Sequence, residues 1–288
     1  MTHRDVLKRV VMQEDLNFLL TNRLPRRWLT QLVGWLSKVE DPLFCAAGLW
    51  LWRLFGDLDL SDARHTRFRS VHDCFTRELK PGARPVDNDP RVVVSPCDAI
   101  VGAAGRVERG LALQVKGSAY RVSDLLHDES LVELYADGSY VTLRLTAGMY
   151  HRFHAPCDAR LRRVTYIAGD TWNVNPIALE RIERLFCRNE RAVLECEVAD
   201  GAKLTLVPVA AILVASIRLH ALDLRLHLKY RGANVIDCDV SFCKGDEMGW
   251  FEHGSTIIVF APRGCELIES AASGGRIRMG EPLFRRRP

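Results

Sequence analysis

The stretch AVLECEVADGAKLTLVPVAAILVASI, residues 192–217, decides the fold class. Two apolar runs, AVLECEV and KLTLVPVAAILVASI, flank an Asp-Gly pair, the composition of strands joined at a turn. The same texture extends in both directions. VVVS (92–95), LALQV (111–115) and YVTLRL (140–145) precede it and STIIVFA (255–261) follows, each set off by Gly, Asp or Pro. One helical pattern, NPIALERIERLF (175–186), interrupts the series. Strands and helices do not alternate regularly, which argues against a doubly wound nucleotide-binding sheet. The expectation is an α+β chain: a mostly β domain, sandwich-like or barrel-like, with an N-terminal amphipathic helical region. The turn-rich PGARPVDNDP (81–90) marks the border between a helical region over 1–80 and a main domain over 81–288. A further helix is expected within SDARHTRFRSVHDCFTREL (61–79).

Composition narrows the function classes. With 48% hydrophobic and 26% charged residues in 288, the chain is globular rather than disordered. A net charge of +4 is too modest for a dedicated nucleic-acid binder, so no nucleic-acid partner is expected. The nine cysteines form no CxxC pair and are odd in number, which disfavours a disulfide framework or a structural zinc site. The opening MTHRDVLKRVVMQEDLNFLL lacks the apolar run and cleavage site of a secretory signal. The most apolar stretch, LFCAAGLWLW (43–52), has ten residues; a membrane-spanning helix needs roughly 20.

Four of the six tryptophans (Trp28, Trp35, Trp50 and Trp52) fall in the first fifth of the chain. Trp28, Leu29, Leu32, Trp35 and Leu36 recur at helical spacing, with Arg26, Arg27 and Lys38 among them, and Pro25 and Pro42 are placed to open two successive helices. Two readings fit this pattern. The helices cap the core of the main domain, or they lie in a membrane interface with tryptophan at the headgroup level and arginine near anionic lipid.

Chemistry-bearing residues gather in two places. YHRFHAP (150–156) sets His151 and His154 three residues apart beside an arginine. HxxH lacks the glutamate of HExxH and a third ligand, so no metal is expected, and imidazoles that titrate near working pH suit general acid–base work. Gly254-Ser255-Thr256 stands directly before an apolar run. Such a pair is commonly a turn, but a sterically open glycine carbonyl beside a serine hydroxyl is also what backbone self-cleavage requires. It is not a GxSxG elbow, which weighs against a conventional serine hydrolase. Ser95-Pro96-Cys97-Asp98-Ala99 is echoed by Ala155-Pro156-Cys157-Asp158-Ala159, both read as tight turns opening a strand.

Taken in order, SPCDAIVG (95–102), QVKG (114–117), YHRFHAP (150–156), LFCRNERAV (185–193) and KGDEMGWFEHGSTIIVF (244–260) resemble phosphatidylserine decarboxylases. RLPRRWLTQLVGWL (23–36) is similar to the membrane-associating helices of the bacterial enzymes. The resemblance implies a proenzyme that cuts itself between Gly254 and Ser255 into a β chain, 1–254, and an α chain, 255–288, which remain together as a heterodimer. It implies that Asp98, His154 and Ser255 act together in maturation, Asp98 orienting His154 and His154 taking the serine proton. Ser255 would become a pyruvoyl group, the only cofactor, whose ketone forms a Schiff base with the amine of phosphatidylserine and accepts electrons as CO2 leaves to give phosphatidylethanolamine. His151 would handle the substrate's phosphate or carboxylate, with a role in proton transfer. The implied location is peripheral, on the cytoplasmic face of the cell membrane. Three positions depart from the family pattern: Ala99 where glycine is usual, Met149 where aspartate is common, and His253 where leucine is usual. A pyruvoyl-dependent decarboxylase of a soluble amino acid, and a non-processing lipid-binding homologue, are the competing readings.

Overall fold

A computed structural model describes residues 26–55, 57–115, 118–212, 216–252, 255–271 and 273–287. The expected helix start at Pro25, the second half of QVKG, and His253 and Gly254 of the cleavage motif lie outside the described residues.

The organising element is β14 (Ser255–Ala261), whose seven residues are all buried. It runs antiparallel between β5 (Ser139–Leu145) and β9 (Lys203–Ala210), with Ser255 opposite Leu145 on one side and Ala210 on the other. These strands form the middle of an eight-stranded sheet. Beyond β9 lie β8 (Arg191–Val198), β7 (Ala159–Ile167) and β12 (Val235–Phe242); beyond β5 lie β2 (Ala99–Arg106) and β16 (Arg276–Ile277).

Side chains alternate across a strand, so β14 feeds two cores. Ile257, Val259 and Ala261 join Leu143, Leu206, Phe153, Ile217 and Phe251 in one. Ile258 and Phe260 join Tyr135, Tyr140, Val207 and Phe186 in the other. The first face is covered by a four-stranded sheet, β11 (Leu224–His227), β10 (Ser216–Leu219), β13 (Glu247–Phe251) and β6 (Arg152–His154). The second is covered by short helices, α4 (Val122–Leu126), α5 (Glu129–Leu134), α6 (Pro176–Arg181) and α7 (Leu185–Arg188), together with the hairpin of β3 (Leu111–Val115) and β4 (Ser118–Arg121). A third small sheet, in the order β1 (Val92–Val94), β17 (Pro282–Arg286), β15 (Cys265–Leu267), closes the molecule around Phe284. The expected sheet-rich α+β architecture is what the chain adopts.

N-terminal to this body, α1 (Arg26–Leu36) and α2 (Pro42–Phe55) form as two helices, with Pro42 at the first position of the second. Three of their tryptophans point outward: Trp28, Trp35 and Trp50 are 65%, 68% and 63% exposed. Trp52 turns inward instead and stacks on Phe75 at 5.5 Å. No helix among the described residues is long and apolar enough to cross a membrane.

Three sequence expectations need correction. Of SDARHTRFRSVHDCFTREL only α3 (Val71–Phe75) is helical, because Ser70 caps at that point and the arginine-rich segment before it has no apolar face to bury. The helix over 175–186 divides into α6 and α7, because Arg184 adopts a left-handed conformation, φ 53°. The long run 203–217 is two strands rather than one: β9 ends at Ala210, and β10 begins at Ser216 in the other sheet.

Truncating Phe260 removes a fully buried ring shared with Tyr135 and Tyr140. Phe260→Ala is expected to lower unfolding free energy by about 3–5 kcal/mol in denaturant titration.

Candidate active site

The two motifs approach each other through β13, whose Phe251, four residues before Ser255, donates its amide to His151 O at 3.0 Å. Ser255 is fully buried, and its Oγ has no hydrogen-bond partner among the described residues. A buried hydroxyl without a partner costs free energy, of order 1–3 kcal/mol, and the neighbouring Thr256 Oγ1 is in the same state. The Ser255 backbone is fixed by the strands on either side, and Ala210 is itself tied down. The Asn189 side-chain amide donates to the Ala210 carbonyl at 2.9 Å, and the Ala210 amide donates to Glu190 O at 2.8 Å. The block LFCRNERAV therefore supports the strand beside Ser255. Arg191, fully buried, donates to the carbonyls of Asp124, Leu125, Cys187 and Asn189.

His154 ends β6 and is held at both ring nitrogens. Nδ1 lies 2.8 Å from Gly245 O, a carbonyl that can only accept, so Nδ1 carries the proton. Nε2 is then the lone-pair nitrogen and receives the Tyr150 hydroxyl at 2.9 Å. Burial of the ring holds its pKa below the ordinary 6.5, against the opposing pull of Gly245 O, Glu247 and Asp98. The imidazole is accordingly neutral near pH 7. Burial also pushes the Tyr150 phenol up, which keeps it a donor. The Gly245 carbonyl is presented from a backbone with φ +90°, a conformation that glycine adopts without strain. The glycine of the KGDEMG motif thus sets the tautomer of His154.

Asp98 stands next to this arrangement but is committed elsewhere. Arg84 grips its carboxylate in a fork, Nε to Oδ1 at 2.8 Å and Nη2 to Oδ2 at 2.6 Å, and the Met279 amide donates to Oδ1 at 3.0 Å. Among the described residues no hydrogen bond joins Asp98 to His154. The expected direct orientation of the histidine by the aspartate is replaced by Tyr150 and Gly245. Asp98 and Tyr150 instead line one cavity of about 440 Å³, with Arg84, Thr146, Arg276 and Arg278 on its walls. Main-chain bonds keep the two turns together: the His154 amide donates to Pro96 O at 2.8 Å and the Val94 amide to Pro156 O at 2.9 Å. The sequence echo between Ser95–Ala99 and Ala155–Ala159 is therefore also a spatial pairing.

The two histidines of YHRFHAP part company. His151 is fully buried beneath Phe75, ring centroids 3.8 Å apart, and its Nδ1–H donates to Met149 O at 2.8 Å. Through Phe75 and Trp52 it touches the helical region. Arg152 between them is structural: it donates to Thr76 O at 2.9 Å and to Glu247 at 2.9 and 3.0 Å. No group of histidine, cysteine and carboxylate residues able to hold a metal is found among the described residues.

Sequence reading did not single out Arg84, Tyr150 or Glu252. Arg84 sat in a segment read as a linker, and only Tyr150 had a legible signal, as a polar aromatic inside the histidine motif. Glu252 is buried three residues before Ser255 and accepts from Lys38 Nζ at 3.1 Å, with His72 Nε2 at 3.7 Å. Burial pushes its carboxyl up, but Lys38 and His72 outweigh this and leave it below the ordinary value.

The comparisons with known proteins agree with this geometry. The family model described as phosphatidylserine decarboxylase matches residues 71–285. The chain belongs to the phosphatidylserine decarboxylase family. A relative from Vibrio cholerae serotype O1 (strain ATCC 39541 / Classical Ogawa 395 / O395), named phosphatidylserine decarboxylase proenzyme, is 36% identical over 276 residues, covering 90% of this chain and 94% of its own. Relatives of the same name from Aliivibrio salmonicida and Haemophilus influenzae are 34% and 33% identical, covering 94% and 90% of this chain and 98% and 92% of their own.

The Arg84–Asp98 pair is open to measurement. Removing one partner of a buried ion pair strands the other charge, so Arg84→Met should cost about 3 kcal/mol. In a double-mutant cycle with Asp98→Asn the two losses should fall short of additivity by more than about 1 kcal/mol.

Proposed function

We propose that the protein is a self-processing decarboxylase of phosphatidylserine that draws its reactive carbonyl from Ser255. The observation that carries this reading is a fully buried serine hydroxyl with no partner among the described residues, at the head of the central strand and directly after a glycine.

In maturation, Ser255 Oγ attacks the Gly254 carbonyl carbon and displaces the peptide nitrogen, giving an ester and a free amine. His154 Nε2 takes the serine proton, the neutral ring having its lone pair on that nitrogen. The serine hydroxyl replaces Tyr150 there during the transfer. Asp98 acts by its charge, since a nearby carboxylate favours the imidazolium that forms. Loss of the Ser255 α-proton then breaks the ester Cβ–O bond, expelling the Gly254 carboxylate and leaving dehydroalanine; its imine tautomer takes up water and releases ammonia, leaving the ketone. Position 255 suits a pyruvoyl group: it is buried, held in the sheet by pairing on both sides, and its side-chain oxygen has no partner among the described residues. When formed, that group supplies a ketone and adjacent carbonyl that act as an electron sink for decarboxylation of an amino acid.

The fold explains how the α chain would stay bound after cleavage. Residues 255–288 hold β14, β15, β16 and β17, paired with β9, β5, β2 and β1 of the larger chain. Departure would expose Ile257, Ile258, Val259, Phe260 and Phe284, each fully buried.

His151 is assigned to substrate phosphate or carboxylate handling with a role in proton transfer. Its Nδ1–H donates to Met149 O, which fixes the ring's tautomer. A peripheral seat at an anionic cytoplasmic membrane face is supported by outward-facing Trp28, Trp35 and Trp50 beside exposed Leu43 and Leu51.

Two measurements test this. Carbon dioxide release from phosphatidylserine vesicles should be abolished in Ser255→Ala; release only from free serine would support the soluble-substrate reading. The cleavage rate of freshly translated precursor should be flat above pH 6.5, where His154 is neutral, and fall as acid protonates it. A rate that rises with acid would remove His154 as the base.

A further inference from the structure

Another pocket lies between α1 and β11. Its volume is about 260 Å³, and Gln31, Gly34, Lys38, Arg225, His227 and Lys229 face it, with Glu252 and Ser216 at its inner end. That inner end is close to the reaction in the chain: Glu252 is three residues before Ser255, and its amide donates to Ser216 O at 3.1 Å.

The charge in this pocket is out of balance. Lys38, Arg225 and Lys229 are fixed cations, and His227 and the nearby His72 are bases. One carboxylate, Glu252, answers them, and it is already engaged by Lys38. Neither Arg225 nor Lys229 pairs with a carboxylate among the described residues. Elsewhere on the surface arginines commonly have such partners, as with Arg162 and Arg163 on Asp239 and Asp237. Mutual repulsion is felt within the group: burial and then Arg225 hold the His227 pKa down. Such a cluster is stabilised by an anion.

The pocket mouth identifies the kind of anion. At 3.6 residues per turn, Trp28 and Trp35 share one stripe of α1, Gln31 lies on the next, and Gly34 and Thr30 on the one after, with Lys38 two residues beyond the helix end. The exposed tryptophans thus lie on the stripe of α1 next to the one that brings Gln31 to the pocket. Apolar rings outside and unpaired cations inside match a lipid whose acyl chains stay in the membrane while its phosphate enters. The volume agrees, being below the roughly 300–1,000 Å³ of sites that enclose a whole small molecule.

We propose that this pocket binds the phosphodiester of an anionic glycerophospholipid, with Arg225 and Lys229 as its principal ligands and Lys38 and His227 beside them. The assignment rests on the decarboxylase reading for its purpose, holding the headgroup beside the reactive strand, but its binding can be measured without turnover.

Full-length protein and Arg225→Gln/Lys229→Gln are compared by cosedimentation with phosphatidylcholine vesicles with and without phosphatidylglycerol. Both side chains are exposed, so folding should survive. The double variant should need about thirtyfold more anionic lipid for half-binding, in line with two lost surface cations. Arg225→Lys/Lys229→Arg should stay within about twofold of the original. The KM for vesicle-embedded phosphatidylserine should rise by a similar factor to the Gln variant's binding loss. Unchanged affinity in the Gln variant overturns the proposal. So does an equal loss on pure phosphatidylcholine, which would place the defect in the tryptophan rim. Displacement from vesicles by millimolar inorganic phosphate as readily as by glycerophosphoserine would assign the pocket to free phosphate and also overturn it. Should the original protein release no carbon dioxide while binding anionic vesicles through Arg225 and Lys229, the functional reading fails and the pocket stands.

Discussion

The antiparallel pairing of β14 between β5 and β9 is the constraint on which the rest depends. It places seven consecutive buried residues in the middle of the molecule, feeding a core on each face. It also fixes Ser255 at the point where the chain enters the sheet. A serine there gives up hydration without gaining a hydrogen bond among the described residues. That loss is tolerable because the other residues of the strand bury so much apolar surface. The same pairing would keep a severed C-terminal piece in place, so one set of contacts serves folding and persistence after cleavage.

Around that strand the polar groups are divided by task. His154 is neutral, desolvated and locked as one tautomer by Gly245, which makes it a base. Asp98 is gripped by Arg84 and makes no hydrogen bond to the histidine among the described residues. The arrangement differs from a hydrolase triad in the residue that touches the histidine: a phenol that can be displaced, in place of a carboxylate that holds fast. Met149, where the family often has aspartate, lends its carbonyl to His151. That backbone contact does not depend on the departed side chain.

Much of this was legible in the sequence, and the exceptions have physical causes. The strands 92–94, 111–115, 139–145, 191–198 and 255–261 follow apolar runs because each is buried on at least one face. The helix over 61–79 failed because arginines at helical spacing do not make a buried stripe. The break at Arg184 had no marker, since a left-handed arginine is held by tertiary packing. Asp98 and His154 were legible as a pair through the family resemblance, but their separate partners were not. Arg84 and Gly245 reach them across 14 and 91 residues of chain, a distance that no local pattern records. The tryptophans were read as one cluster; the fold sends three outward and uses Trp52 to cover Phe75 above His151.

The central claim is that Ser255 is consumed to make a carbonyl at a new chain end. Intact-mass spectrometry of freshly purified protein tests it most directly. Cleavage after Gly254 in the 288-residue chain should give two polypeptides ending and beginning at 254 and 255, the smaller lighter than a serine-initiated chain by the elements of one ammonia. A single uncut mass, or a smaller chain that still begins with serine, would contradict the account.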